Sequence, residues 1–213
     1  MTVAGARSPA KHSVRQERMD ARPKCIIVSG RPGSGKTTLA GELSRRLYLP
    51  KVSRDEIKEG YVRTFGVKHD QLPEDTNSKV NEIFFATALG LLRSSVSVVL
   101  EAAFQHKVWN LVVPRIQEVA HPFIVICDLD AETSAKRHLE RGLSDPNREF
   151  FHGDRRVADF RTTGRFSSGG PYDAPHFDAP TLRVSTLNGY APEIERIMDF
   201  TGGMPNKTAG GDA

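Results

Sequence analysis

The sequence predicts an α/β protein in which five parallel strands form one sheet with helices on both faces. From residue 24 onward, short apolar runs alternate with longer stretches of helical period, the pattern of parallel strands joined by crossover helices. The 213 residues suit a single domain with a buried core, and their apolar runs stay below the roughly 18 residues of a membrane span.

The first half of the chain should contribute two strands and three helices. The strands are predicted over 25–29 and 51–53, and the helices over 37–47, 55–64 and 76–93. The third helix is indicated by Val80, Ile83, Phe84, Thr87 and Leu91, whose spacing places them on one face.

The second half should add three strands and three helices. The strands are predicted over 96–100, 123–127 and 181–185, and the helices over 107–120, 132–141 and 191–200. Pro114 should kink or break the helix 107–120, and Asp130 is placed to cap the next one. Over about 142–180 the apolar period fades and Gly, Ser, Pro, Phe and Arg dominate. This segment is either an Arg-rich lid over an active site or an ordinary irregular connection.

A G-x-x-x-x-G-K-T motif follows the first strand directly. Its residues are Gly30, Arg31, Pro32, Gly33, Ser34, Gly35, Lys36 and Thr37. The glycines let the backbone curl so that amide groups point at phosphate oxygens, aided by the positive end of the following helix. Lys36 should reach the β- and γ-phosphates, and the Thr37 hydroxyl should ligate Mg²⁺. The motif, extended to Thr38, therefore predicts an ATP and Mg²⁺ site; the alternative is a Gly-rich turn capping an ordinary helix.

The net charge of +4 is confined to the start of the chain. Residues 1–24 contain six basic and two acidic side chains, so the rest is formally neutral. We expect a basic disordered leader over 1–22, one ATP-binding domain over 23–201 that contains this phosphate loop, and a disordered tail over 202–213. Cys25 and Cys127 lie in apolar runs and should be buried free thiols, which favours the cytoplasm.

Three segments together resemble a known family. They are 26–39, then Val52-Ser53-Arg54-Asp55-Glu56-Ile57-Lys58, then Leu129-Asp130-Ala131-Glu132 through Arg137 and Arg141. They are similar to the P-loop kinases of the adenylate-kinase-like group, in particular the subgroup of polynucleotide 5'-kinases, chloramphenicol phosphotransferase, gluconate kinases and zeta-toxin-like kinases. The resemblance implies a five-stranded parallel sheet on which ATP and acceptor meet at the carboxyl ends of the strands, as in open α/β sheets generally.

The resemblance also assigns candidate roles near the second and third strands. Asp55 matches the aspartate that takes the proton from the acceptor hydroxyl; alternatively it is a helix N-cap. Arg54 and Lys58 flank it and could bind an anionic acceptor, or be solvated surface charges. Glu101 stands where relatives often have an aspartate that orients Mg²⁺, and in this respect the sequence departs from the pattern. The longer carboxylate is expected either to bind the ion through water or to face the acceptor.

Two arginines four residues apart, Arg137 and Arg141, share one helix face. The resemblance implies that Arg137 stacks on adenine and that Arg141 meets phosphate, since guanidinium suits both contacts. The alternative for Arg137 is an exposed ion pair with Asp130 or Glu140.

These observations predict an ATP-dependent kinase that transfers the γ-phosphoryl group to a hydroxyl of a small molecule. Lys36, Asp55 and Arg141 are the predicted catalytic residues. A polynucleotide 5'-hydroxyl acceptor is possible but not favoured, because the neutral body lacks the basic groove that strand binding needs. A non-catalytic ATP-binding regulatory module is the other alternative. No membrane partner is expected.

Overall fold

A computed structural model describes residues 22–145, 147–153 and 155–203. The predicted leader and tail therefore lie outside the described residues, apart from Arg22 at one end and 202–203 at the other. Within these ranges, none of the helices combines the length and apolar character needed to cross a membrane.

The sheet has the predicted five strands, all parallel, in the order β2-β3-β1-β4-β5. Along the chain they are β1 Lys24–Gly30, β2 Lys51–Ser53, β3 Val98–Ala102, β4 His121–Asp128 and β5 Thr181–Ser185. Because β1 lies between β3 and β4, the loop that leaves β1 emerges at the middle of the carboxyl edge, where open α/β sheets bind ligands.

The described residues contain nine α-helices. They are α1 Lys36–Leu47, α2 Arg54–Phe65, α3 Thr76–Arg93, α4 His106–Trp109, α5 Val113–Val119, α6 Ala131–Ser144, α7 Asn147–His152, α8 Arg155–Thr163 and α9 Ile194–Phe200, with a 3₁₀ turn at His69–Gln71. The predicted bounds of α3, β2 and β5 are confirmed. The break at Pro114 is also confirmed, because α5 begins at Val113 and proline occupies its first turn.

The expectation of irregular chain over 142–180 is wrong for its first half, where α7 and α8 form. Each helix is short and has too few turns for its apolar residues to show a helical period in the sequence. The remainder, residues 164–180, is irregular but held to the sheet edge. The Tyr172 hydroxyl donates to the carbonyl of Phe104 (3.0 Å), and the Asp173 carbonyl accepts from the amide of His106 (2.8 Å).

Apolar side chains fill both faces of the sheet. One face packs on α3, α4 and α5, and the other packs on α1 and α9. Phe84 of α3 lies at the centre of the first core, with its ring centroid 5.8 Å from those of Phe85 and Phe104 and 6.1 Å from that of Trp109. The Trp109 indole donates to the Ser29 hydroxyl at 2.9 Å, which fixes this aromatic cluster to the end of β1.

We expect Phe84→Ala to lower the free energy of unfolding by about 3–5 kcal/mol, because it removes a fully buried ring and leaves a cavity. Urea unfolding followed by circular dichroism measures the loss. Ile83→Ala is the matched control on the same helix: its side chain is 41% exposed, and the cost should stay below about 1 kcal/mol. Equal losses in the two variants would contradict this account of the core.

Candidate active site

The G-x-x-x-x-G-K-T loop forms a tight turn between β1 and α1. The amide of Ser34 donates to the carbonyl of Arg31 (3.1 Å), and Gly35 stands as the N-cap residue of α1 with φ of 81°. Gly33 has φ of +85°, and a Cβ there would lie 2.0 Å from the carbonyl oxygen of Ser134 in α6. The loop therefore forms a concave backbone cradle, and position 33 of this cradle accommodates only glycine.

A buried carboxylate connects this loop to the neighbouring strands. Glu101 of β3 is 1% exposed; its Oε1 accepts from the Thr37 hydroxyl (3.2 Å) and lies 3.5 Å from Nζ of Lys36. Its Oε2 accepts from the Ser53 hydroxyl of β2 at 2.7 Å. The Glu101 carboxylate therefore links the phosphate loop to the end of β2.

The other side of the loop is anchored to β5 and α6. The Thr186 hydroxyl donates to the Ser34 carbonyl (2.8 Å), and Arg137 donates to the carbonyls of Thr186 (2.9 Å) and Leu187 (2.8 Å). Arg137 therefore binds these two carbonyls and not Asp130 or Glu140, the alternative partners predicted from the sequence. Asp130 instead caps α6 by accepting from the Thr133 amide (2.8 Å).

The remaining residues of the predicted nucleotide site lie in this loop or in the first turn of α1, and the predicted catalytic Arg141 lies on α6. Arg31 donates to the Gly170 carbonyl (2.8 Å) and lies over the ring of Tyr172. Pro32 lines a cleft of about 260 Å³ shared with residues 168–172. Thr38 is exposed on the first turn of α1. Arg141 lies one turn beyond Arg137 and donates to Nδ1 of His138 at 3.2 Å.

Asp55 lies in the first turn of α2, directly after β2. Its alternative role as N-cap is wrong, because Ser53 occupies that position and α2 begins at Arg54. Arg54 is held toward α3 by Asn81 (3.1 Å) and Asn77 (2.8 Å), and its Nη1 is 3.5 Å from Oδ1 of Asp55. Burial opposes ionisation of Asp55, but the positive charges of Lys36, His152 and Arg54 outweigh it and lower the pKa of the carboxyl. Asp55 is therefore an ionised carboxylate at neutral pH.

Lys58 is not a solvated surface charge. It is 4% exposed, and its Nζ donates to the His152 carbonyl (3.1 Å) and lies 3.4 Å from Nε2 of His69. Burial and the nearby Arg54 lower the pKa of Lys58 to about 8, although Asp55 acts in the opposite direction. We call Lys58, His69 and His152 the Lys58 cluster.

The turn between α7 and α8 closes over the Lys58 cluster. Nε2 of His152 is 2.9 Å from Glu59 of α2, and Lys68 binds Glu149 of α7 at 2.8 Å. Gly153 has φ of +63°, and a Cβ there would lie 2.3 Å from the His69 ring. The segment after α6 is thus in contact with the helix that carries Asp55.

Sequence reasoning missed several residues that complete this arrangement. Ser53 could have been found, since it ends a strand beside Asp55 at the ligand-binding edge. Thr186 also follows a predicted strand, β5. His69, His152 and Tyr172 lie in segments without a motif, and only the folded chain brings them to the site.

The residues at the phosphate loop fit ATP and Mg²⁺. Because Gly30 and Gly33 have no Cβ, the loop backbone can curl closely enough for its amides to approach phosphate oxygens. Lys36 supplies a buried ammonium beside these amides. The Thr37 hydroxyl and the Glu101 carboxylate offer the oxygen ligands that Mg²⁺ prefers, either directly or through water.

Comparison with known proteins assigns the family. Residues 25–162 match the family described as an AAA domain. The chain belongs to this family. A cytidylate kinase from Pyrobaculum calidifontis is 35% identical over 78 residues, a match that covers 36% of this chain and 42% of that kinase. The chain thus aligns with less than half of the length of this relative.

Three solved structures that share the fold of this AAA domain protein are described as kinases. A provisionally assigned kinase from Chloroflexus aurantiacus superposes with a TM-score of 0.70 at 23% identity, covering 85% of this chain and 98% of that one. The Mycobacterium tuberculosis APS kinase CysC, in complex with AMPPNP and APS, gives 0.56 at 16% identity, with coverage of 85% and 98%. A sugar kinase from Janibacter sp. HTCC2649 gives 0.55 at 16% identity, covering 84% and 95%. The predicted P-loop kinase fold is confirmed.

We expect Gly33→Ala to abolish binding of ATP and Mg²⁺, because the new methyl group collides with the Ser134 carbonyl and the backbone angle is strained. Isothermal titration calorimetry measures the binding. Gly41→Ala is the matched control: it lies inside α1 with open space around its Cβ position, so binding should persist and stability should rise by about 0.5–1 kcal/mol. Unchanged binding in Gly33→Ala would contradict the described loop.

Proposed function

We propose that the protein is an ATP-dependent kinase that transfers the γ-phosphoryl group to a hydroxyl of a small molecule. The observation that carries the proposal is the position of Asp55. Its carboxylate follows β2 two residues after Ser53, which binds Glu101, while Glu101 contacts Lys36 and Thr37 of the phosphate loop. An ionised carboxylate thus lies within the electrostatic influence of the lysine assigned to the γ-phosphate.

In this proposal each residue has a defined task. The backbone N–H groups of Gly33, Gly35 and Lys36, together with the ammonium of Lys36, hold the phosphates and neutralise charge on the transferring group. Thr37 and Glu101 hold Mg²⁺, which when bound neutralises phosphate charge. Asp55 accepts the proton of the acceptor hydroxyl as its oxygen attacks the γ-phosphorus and the bond to the β-phosphate oxygen breaks. Arg54 holds the carboxylate of Asp55 in place.

The arginines of α6 have complementary tasks. Arg137 is fixed against the loop that follows β5, so its guanidinium can form one wall of the adenine site. Arg141 is the proposed phosphate contact one turn further on. Residues 142–180 are the proposed lid, because α7 already contacts α2 through Glu59 and Lys58.

The net charge of the chain and the names of similar proteins support a small molecule as the acceptor. The solved relatives include a sugar kinase and an APS kinase by name, whereas the cytidylate kinase is named for a nucleotide. The neutral body of the chain favours a small acceptor over a nucleic acid strand. The free, buried Cys25 and Cys127 favour a reducing compartment such as the cytoplasm.

A phosphoryl-transfer assay separates the kinase from its two alternatives. Purified protein is incubated with γ-labelled ATP, Mg²⁺ and either a mixture of small alcohols or a 5'-hydroxyl oligonucleotide. Label in the small alcohols supports the proposal. Label in the oligonucleotide, with a steep salt dependence, identifies a polynucleotide kinase, and tight ATP binding without transfer identifies a regulatory module.

Asp55→Asn should lower kcat by about 10²–10⁴-fold, the usual range for loss of a general base, while ATP affinity changes little. Steady-state kinetics and calorimetry measure the two effects separately. Glu56→Gln, the neighbouring acidic residue that pairs with Lys51 on the surface, should keep both values. Full activity in Asp55→Asn would remove this residue from the mechanism.

Glu101→Gln should raise the Mg²⁺ concentration needed for half-maximal activity by at least tenfold, since the amide is a weaker ligand than the carboxylate. The same change leaves Lys36 without its buried counterion. Titration of activity with Mg²⁺ at saturating ATP measures the shift. If the Mg²⁺ requirement is unaltered and the affinity for the acceptor falls, Glu101 contacts the acceptor and not Mg²⁺.

A further inference from the structure

The strand β5 forms one edge of the sheet, because β4 is its single neighbour in the strand order. The amide of Ile124 in β4 donates to the carbonyl of Pro180 at 2.8 Å. Successive residues of a strand direct their backbone groups to opposite sides, so positions 182 and 184 face β4, and positions 181, 183 and 185 face outward. The outward positions therefore need hydrogen-bond partners other than β4.

The described residues cover the outward side of β5 only at its carboxyl end. There Ser185 exchanges two hydrogen bonds with Ala191, at 2.9 and 3.0 Å. The outward amide and carbonyl groups of Thr181 and Arg183 have no hydrogen-bond partner within 22–145, 147–153 and 155–203. We call these groups the β5 edge. Such a row of unpaired donors and acceptors is a template for another strand.

An apolar groove of about 400 Å³ runs beside the β5 edge. Leu182, Pro192 and Phe200 line this groove, and Leu182 and Phe200 also pack against the core between the sheet and α9. All three side chains are only partly buried. A strand that paired with the β5 edge would cover the groove and remove its apolar surface from water, which favours association.

Two opposite charges lie in the wall of the same groove. Arg196 and Asp199 are exposed and stand three residues apart on α9. Neither forms a salt bridge with any residue that the structure describes, whereas the adjacent Glu195 binds Arg46 of α1 at 2.9 Å. The groove therefore presents one positive and one negative group to a partner.

We infer that the β5 edge binds the β5 edge of a second copy of this chain, with the two strands antiparallel around a two-fold axis at Leu182. Thr181 of each copy then lies opposite Arg183 of the other, and their outward amide and carbonyl groups exchange hydrogen bonds. Leu182 meets the same residue of the second copy beside the groove. The two sheets thus join into one.

The charges explain why the partner is a second copy. In a two-fold dimer the same surface of each copy forms the interface, so every contact occurs twice. Arg196 and Asp199 share the groove with Leu182, so a rotation about an axis at Leu182 sets Arg196 of each copy beside Asp199 of the other. A chain of another sequence would not supply this reciprocal pair.

The register of the two strands also follows from charge. An axis at Arg183 would place two arginines directly opposite each other, and like charges at such positions are destabilising. An axis at Leu182 places Thr181 beside Arg183 instead. The other edge strand of the sheet, β2, has only three residues and offers a shorter template.

Sedimentation velocity tests the pairing in the full-length protein. The 23.5 kDa chain should form a dimer whose fraction rises with concentration. Arg196→Glu and Asp199→Lys should each weaken the dimer at least about tenfold, because like charges then face each other twice. Arg45→Glu is the matched control: this exposed arginine is on α1, outside the groove, and the dimer should be unchanged. Wild-type protein that stays a monomer up to about 1 mM overturns the inference.

Two rescue experiments follow from the two-fold symmetry. The double variant Arg196→Glu/Asp199→Lys restores opposite charges and should dimerise like the wild type. The two single variants should also pair with each other when mixed, since one then contributes two acidic groups and the other two basic groups. All of these positions are exposed, and circular dichroism checks that each variant is folded. Dimers that do not respond to the single changes, or that neither rescue restores, overturn the inference.

Amide exchange in the wild-type protein locates the interface without any substitution. The amides of Thr181 and Arg183 should exchange more slowly as the concentration rises, whereas those of Leu182 and Val184, which already face β4, should not change. A dimer without this protection uses another surface, and protection in a monomer means that a segment of the same chain covers the edge. Both results overturn the inference. Pairing at the β5 edge does not depend on kinase activity, so the failure of either proposal leaves the other standing.

Discussion

The hydrogen bonds of Glu101 unite the two halves of the site. One oxygen contacts Lys36 and Thr37 at the start of α1, and the other accepts from Ser53 at the end of β2. The carboxylate is fully buried, so its charge must be compensated where it lies. Because β2, β3 and the first turn of α1 meet at this one group, the phosphate loop and the start of α2 cannot shift independently. The position of Asp55 relative to Lys36 follows from this constraint.

The fold was largely predictable because its signals are local. Strand β1 shows as a run of β-branched residues, the loop as a motif with fixed glycines, and α3 as an amphipathic period that ends where the helix ends. The helices α7 and α8 were missed because they are short and contain few fully buried residues, so burial imposes no clear period on their sequence. Their formation depends on contacts with α2 and α6 that the local sequence does not reveal.

The candidate site was predictable in part, and the division has a physical basis. Lys36, Thr37 and Asp55 belong to segments whose spacing the chemistry fixes, so a pattern identifies them. The burial of Lys58 is different, because it results from residues 69 and 152, which are distant in sequence and without a motif. Arg137 was predictable only in part. The sequence spacing showed which helix face carries it, but did not show that it binds the carbonyls of Thr186 and Leu187.

The two sides of the site differ in how well they tolerate amino-acid substitution. The phosphate side is closed by backbone: glycines against carbonyls of α6 and β4, and a threonine hydroxyl on Ser34. Substitution there meets main-chain atoms that cannot move aside. The proposed acceptor side is closed by side chains from α2, α3 and α7, and these can be substituted without altering the backbone. A family can therefore keep one phosphate site and vary its acceptor.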